Sequence, residues 1–137
     1  MKKILIVEDD HKTAMALAIR LKANGYSASI APDALAEASL ARAIKPDLIL
    51  MDITLPGGDG LQLAESFLRR TETFDIPVIF ITASKKPALL KKVMELGAVG
   101  LFEKPFDTEK LLNSIGRKFY RMDLLRSGQP SVANKST

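Results

Sequence analysis

The chain contains no cysteine, which excludes a disulfide framework and any thiolate-held metal. It also lacks a long hydrophobic run. No apolar stretch approaches the roughly 20 residues that a membrane span needs, and the opening MKKILIVEDD turns acidic before a signal-peptide core develops. A cytoplasmic protein with no membrane partner is expected. Histidine occurs once, at His11, directly after a helix-cap candidate, and is read as an exposed side chain. The glycine cluster Gly57-Gly58-Asp59-Gly60 lacks the lysine and the spacing of a nucleotide-binding loop and is read as a loop entering a helix.

A charge excess is also missing from most of the chain. Residues 1–116 carry 15 basic and 15 acidic side chains, whereas residues 117–137 carry Arg117, Lys118, Arg121, Arg126 and Lys135 against Asp123 alone. No aromatic-basic motif accompanies that basic end, so a solvated helix end and polar tail is expected there, with no nucleic-acid contact through this domain.

A chain of 137 residues is the size of one ordinary domain. Strand-like and helix-like patterns alternate along it five times. Residues 4–7, 27–31, 48–51, 78–81 and 99–102 read as short strands, three of them apolar throughout, as strands buried on both faces must be. Between and after them lie helical periods: Ala14, Leu17, Ala18 and Leu21; Leu35, Ala38 and Arg42; Leu61, Ala64 and Leu68; Leu90, Val93 and Met94; Leu112, Ile115, Phe119 and Met122. Asp10 and Asp107 stand at N-cap positions, and Asn24-Gly25 and Leu96-Gly97 look like helix stops. A β-α repeat of this kind builds a parallel sheet with helices on both faces, and ligands bind at the carboxyl ends of its strands.

That edge is where the chemistry falls. The first strand runs into Glu8 and Asp9, the third into Asp52, the fourth into Thr82, and the last is followed by Lys104. One polar residue at a strand end is ordinary; Glu8-Asp9-Asp10 alone is most simply a capping cluster, with Asp10 the cap. The pattern repeated four times, carboxylates first and then a hydroxyl and an ammonium, points to one site. A carboxylate is a competent phosphoryl acceptor, and transfer to it depends mainly on positioning and charge neutralisation.

In the stretches ILIVEDD (4–10), PDLILMDITLPGGDG (46–60), PVIFITAS (77–84) and GLFEKPF (100–106), the chain resembles the receiver domain of two-component response regulators. The separations carry the specificity: 43 residues from Asp9 to Asp52, 30 more to Thr82 and 22 more to Lys104. The resemblance covers residues 1–120 and leaves 121–137 as a basic helix end and a polar tail, disordered from about Arg126. It implies an α/β fold, a (βα)5 doubly wound five-stranded parallel sheet in the flavodoxin-like order 2-1-3-4-5.

It also implies roles. Asp52 would be the phosphoacceptor, with Glu8, Asp9, Asp52 and the backbone carbonyl of Thr54 holding Mg2+, for which Mn2+ would substitute. Thr82, the backbone N–H of Ala83 and Lys104 would hold the phosphoryl oxygens, and a cis bond from Lys104 to Pro105 is expected. Ser84, Leu101 and Pro105 would belong to the switch and output region. Two places depart from the family pattern. Leu101 stands where an aromatic residue or histidine is usual, and Gly97-Ala98-Val99-Gly100-Leu101 lacks the acidic residues of regulators that dimerise through a salt-bridged face.

The expected protein is a single-domain phosphoacceptor rather than a conventional enzyme, since it catalyses only its own phosphorylation and dephosphorylation. It would be a monomer or a weak dimer formed on activation. Its donor would be a sensor histidine kinase or a histidine phosphotransfer protein, and its target an unidentified downstream protein. Two alternatives stay open: a receiver fragment of a longer DNA-binding regulator, and a haloacid-dehalogenase-like phosphatase. The phosphatase would want a second carboxylate where Thr54 stands.

Overall fold

Each apolar run forms a strand, and each helical period a helix. The computed structural model describes residues 1–54, 60–70, 75–84 and 86–128. The expected loop at Gly57-Gly58-Asp59 and the expected tail beyond Gly128 lie outside the described residues. In chain order the elements are β1 (Lys3–Val7), α1 (His11–Ala23), β2 (Ser27–Ala31), α2 (Ala34–Ile44), β3 (Leu48–Asp52), α3 (Gly60–Leu68), β4 (Val78–Thr82), α4 (Pro87–Glu95), β5 (Gly100–Glu103) and α5 (Thr108–Arg126). The last strand begins one residue later than expected, although Val99 still donates its N–H to Val78 O at 2.8 Å.

All strand pairs are parallel, in the order β2-β1-β3-β4-β5. The strands β1, β3 and β4 are apolar apart from the end residues Lys3, Asp52 and Thr82, because both faces are covered. Leu5, Val7, Ile49, Met51, Val78 and Phe80 join Ala41 of α2, Ala64 and Phe67 of α3, and Leu89 and Val93 of α4 in one buried cluster. Strand alternation turns Ile4, Ile6, Leu48, Leu50, Ile79 and Ile81 to the opposite face, and all are buried. The helix α1 lies against β1 and β2, burying Ala14, Leu17, Ala18 and Leu21 as expected.

Caps fix the helix starts. Asp10, Asp33 and Asp107 accept backbone N–H bonds from Thr13, from Ala36, and from Glu109 and Lys110, respectively. Gly25 and Gly97, at φ 89° and 105°, reverse the chain after α1 and α4 in the left-handed region.

Three helical stripes differ from expectation. In α2 the inward side chains are Ala36, Glu37, Leu40, Ala41 and Ile44, not Ala38 and Arg42, and the expected Leu35 side chain lies outside those described. A buried acid in the first turn of that face hides it from a hydrophobic pattern: Glu37 is fully buried and paired with Arg70 Nη1 at 2.6 Å. In α4 the buried residues are Leu89 and Val93, while Leu90 and Met94 are exposed. The helix α5 belongs to a separate compact unit, Phe106–Thr137; there Leu111, rather than Leu112, is buried with Ile115 and Phe119. Among the described residues no helix is long and apolar enough to cross a membrane.

Candidate functional site

The sheet register brings the chemistry to one edge. Val7 pairs with Met51, so Glu8 leaves β1 beside Asp52, the last residue of β3. Asp52 pairs with Ile81, which puts Thr82 one step beyond it on β4. Lys104 follows β5 and is tied to that neighbour by its backbone, donating its N–H to Thr82 O at 2.8 Å.

Asp52 has a nearly buried side chain, and both of its carboxylate oxygens are engaged. Oδ1 accepts the Thr54 N–H at 2.7 Å, and Oδ2 accepts a bond from Lys104 Nζ. The ammonium also lies 3.7 Å from Glu8 Oε1. Glu8 is buried; its Oε2 accepts the Asp10 N–H at 3.1 Å, whereas Oε1 has no hydrogen-bond partner.

These environments set the charges. Burial pushes the Glu8 carboxyl up to about 7, and the neighbouring Asp52 adds to the rise. Burial works against the charge on Asp52 too, but the neighbouring Glu8, Lys104 and Thr54 outweigh it and hold the carboxyl below the usual aspartate range. For Lys104, burial is outweighed by its bond to Asp52 and by both nearby acids, so its pKa is raised. The result is an ionised aspartate at the end of a central strand, clamped by one ammonium, with a second acid that holds its proton near neutrality.

The structure brings Glu8, Asp52 and Lys104 together. Asp9 stands exposed at the rim beside Glu8. The Thr82 hydroxyl is buried and accepts the Ser84 N–H at 3.0 Å; the Ser84 hydroxyl accepts from Lys86 N–H at 3.3 Å. The Ala83 N–H donates to the Thr54 hydroxyl at 3.1 Å. That last contact joins residues 29 apart and is not legible in the sequence. Leu101 is half-buried and packs against the core cluster, and Pro105 is exposed after a cis Lys104–Pro105 bond. His11, as expected, is exposed.

Among the described residues no three acidic or histidine side chains converge tightly enough to hold a metal by themselves. The donor set nevertheless fits a hard divalent cation. Glu8 Oε1 is a buried carboxyl oxygen without a hydrogen bond, adjacent to the ionised Asp52, and carboxylate oxygens are the ligands such cations take.

Comparison with known proteins agrees with this geometry. The family described as response regulator receiver domain matches residues 4–116. The chain is 33% identical over 123 residues to the DNA-binding dual master transcriptional regulator RpaA of Synechocystis sp., covering 90% of this chain and 51% of that protein. It is 35% identical over 121 residues to the probable transcriptional regulator ycf29 of Porphyra purpurea, covering 88% of this chain and 58% of that protein. The chain thus spans about half the length of these curated relatives. In fold it is similar to the receiver domain of a Francisella response regulator, with a TM-score of 0.77 at 24% identity over 89% of this chain and 99% of that one.

Proposed function

The chain belongs to the response regulator receiver domain family, and on that premise we propose that Asp52 is its phosphoacceptor. The observation that carries this reading is the state of Asp52: ionised despite burial and held at the carboxyl end of β3 by the Thr54 amide and the Lys104 ammonium. An Asp52 oxygen attacks the phosphorus of a phosphohistidine on a sensor kinase or phosphotransfer protein. The new O–P bond forms as the N–P bond breaks, and its electron pair returns to the imidazole nitrogen. The product is an aspartyl phosphate.

Glu8, Asp9, Asp52 and the Thr54 carbonyl are the residues that would hold Mg2+, or Mn2+ in its place, and the ion would supply charge neutralisation for the phosphoryl oxygens. The chain's own groups treat the rest of that charge. Lys104 places a cation at the acceptor carboxylate, and the Thr82 hydroxyl and Ala83 N–H are donors for the transferred oxygens. The signal is then read from residues 84–96 by a downstream protein, with Leu101 remaining packed. The setting is the cytoplasm.

A second reading is favoured by the relatives, both described as transcriptional regulators and both longer than the matched region, which covers 51% and 58% of them. In it, this receiver serves a DNA-binding regulator. Mass measurement of the native protein in cell extract separates the two readings. The phosphatase alternative loses its footing, because the chain belongs to the receiver family and the place of its second carboxylate is held by Thr54.

Intact-mass analysis after incubation with acetyl phosphate tests the main reading. One added phosphoryl group is expected with Mg2+ or Mn2+, none with a chelator, and none on Asp52→Asn. Full labelling of that variant would remove Asp52 from the role.

A further inference from the structure

The Ala83 amide, a donor to the phosphoryl oxygens in the reaction above, is already spent in the unphosphorylated structure. Its N–H donates to the Thr54 hydroxyl at 3.1 Å, an ordinary hydrogen-bond length. Thr54 also donates its own N–H to Asp52 Oδ1 at 2.7 Å. One residue therefore grips the acceptor carboxylate with its backbone and the segment after β4 with its side chain.

We infer that Thr54 is a positioning residue whose hydroxyl masks the Ala83 amide until a phosphoryl group displaces it, and so sets how readily Asp52 is loaded. This rests on the reading of Asp52 as acceptor. An amide N–H serves one strong acceptor at a time, so the bond to Thr54 must open before Ala83 can reach a phosphoryl oxygen. The next link is different in kind. The Ser84 N–H is held by Thr82, a residue of β4 itself, so its bond holds the segment to its own strand. The Thr54 hydroxyl instead ties that segment across to the end of β3, the strand that carries the acceptor. Both Thr54 and Ala83 are exposed, so their bond competes with water and has a modest net strength; its loss corresponds to roughly a fivefold change in an equilibrium.

Two substitutions separate hydroxyl from shape. Thr54→Val keeps the branched side chain without the hydroxyl, and Thr54→Ser keeps the hydroxyl. Amide hydrogen exchange of Ala83, measured without metal or phosphodonor, is expected to quicken in Thr54→Val and to stay near wild type in Thr54→Ser. Titration with beryllofluoride, a phosphoryl mimic, in saturating Mg2+ is expected to show about fivefold tighter binding to Thr54→Val and an unchanged affinity for Thr54→Ser. Unchanged Ala83 exchange in Thr54→Val overturns the masking bond. Unchanged or weaker beryllofluoride binding by that variant overturns the gating role, including the case where Thr54 serves only loop stability and just the melting temperature moves. A wild type that takes up no beryllofluoride would instead overturn the Asp52 reading, and this inference with it.

Discussion

Glu8 is better accommodated as a neutral acid than as a carboxylate when no cation is bound. Its pKa is raised from 4.5 to about 7 in the fold, first by burial, so its contribution favours folding fully below the unfolded value and is lost as pH rises through the folded one. Asp52, lowered from 3.8, and Lys104, raised from 10.5, both titrate outside that window, so their contributions stay constant across it. Glu8→Gln has no such loss. Urea unfolding in EDTA at about pH 5 and about pH 8 should therefore show the variant gaining stability relative to wild type at the higher pH. A difference that does not change with pH would contradict the assignment. Leu101 is a second residue whose role can be isolated. It is half-buried against the core and has no hydroxyl to exchange partners, so Leu101→Ala should lower stability by about 1–2 kcal/mol and leave the phosphorylation-dependent gain in partner affinity intact. Titration of a phosphorylation-sensitive partner checks this; a folded, fully phosphorylated variant that lost the gain would make Leu101 a switch residue.

At the level of elements, the strands were legible because β1, β3 and β4 are covered on both faces and so read as continuous apolar runs. The α1 stripe was legible for a related reason, since all four of its inward residues are apolar. The α2 stripe was not, because Glu37 stands in it and is paired with Arg70, 33 residues away and beyond the reach of any local pattern. In the candidate site, Asp52, Thr82 and Lys104 were legible from spacing, but the bond from Ala83 to Thr54 spans 29 residues and depends on the β3–β4 register. The Glu37–Arg70 pair links α2 to the segment just after α3, and Arg70 also lies 5.2 Å from the centre of the Phe67 ring. Removing the cation alone takes an ion-pair partner from a buried carboxylate. Arg70→Met is expected to cost roughly 3 kcal/mol, and adding Glu37→Leu to recover most of that loss. Denaturant titration of both variants decides it; a double variant no more stable than Arg70→Met would show that the pair acts through packing instead of charge.

For the molecule as a whole, function follows from topology. With β1 and β4 on either side of β3, side chains 43 and 30 residues distant from Asp52 reach the same edge of the sheet. Charge is divided along the sequence: residues 1–116 are balanced, and the basic excess lies in residues 117–137, including Arg117, Lys118, Arg121 and Arg126 of α5. The central claim is that one carboxylate, Asp52, takes the phosphoryl group, and locating the modified atom tests it most directly. The protein is incubated with acetyl phosphate and Mg2+, reduced with borohydride, which converts an acyl phosphate to the alcohol, and mapped by peptide mass. The expected result is a reduced side chain at position 52 that depends on the phosphodonor. Reduction at another carboxylate, or a stable phosphate on His11 or Ser84 with position 52 unmodified, would contradict it.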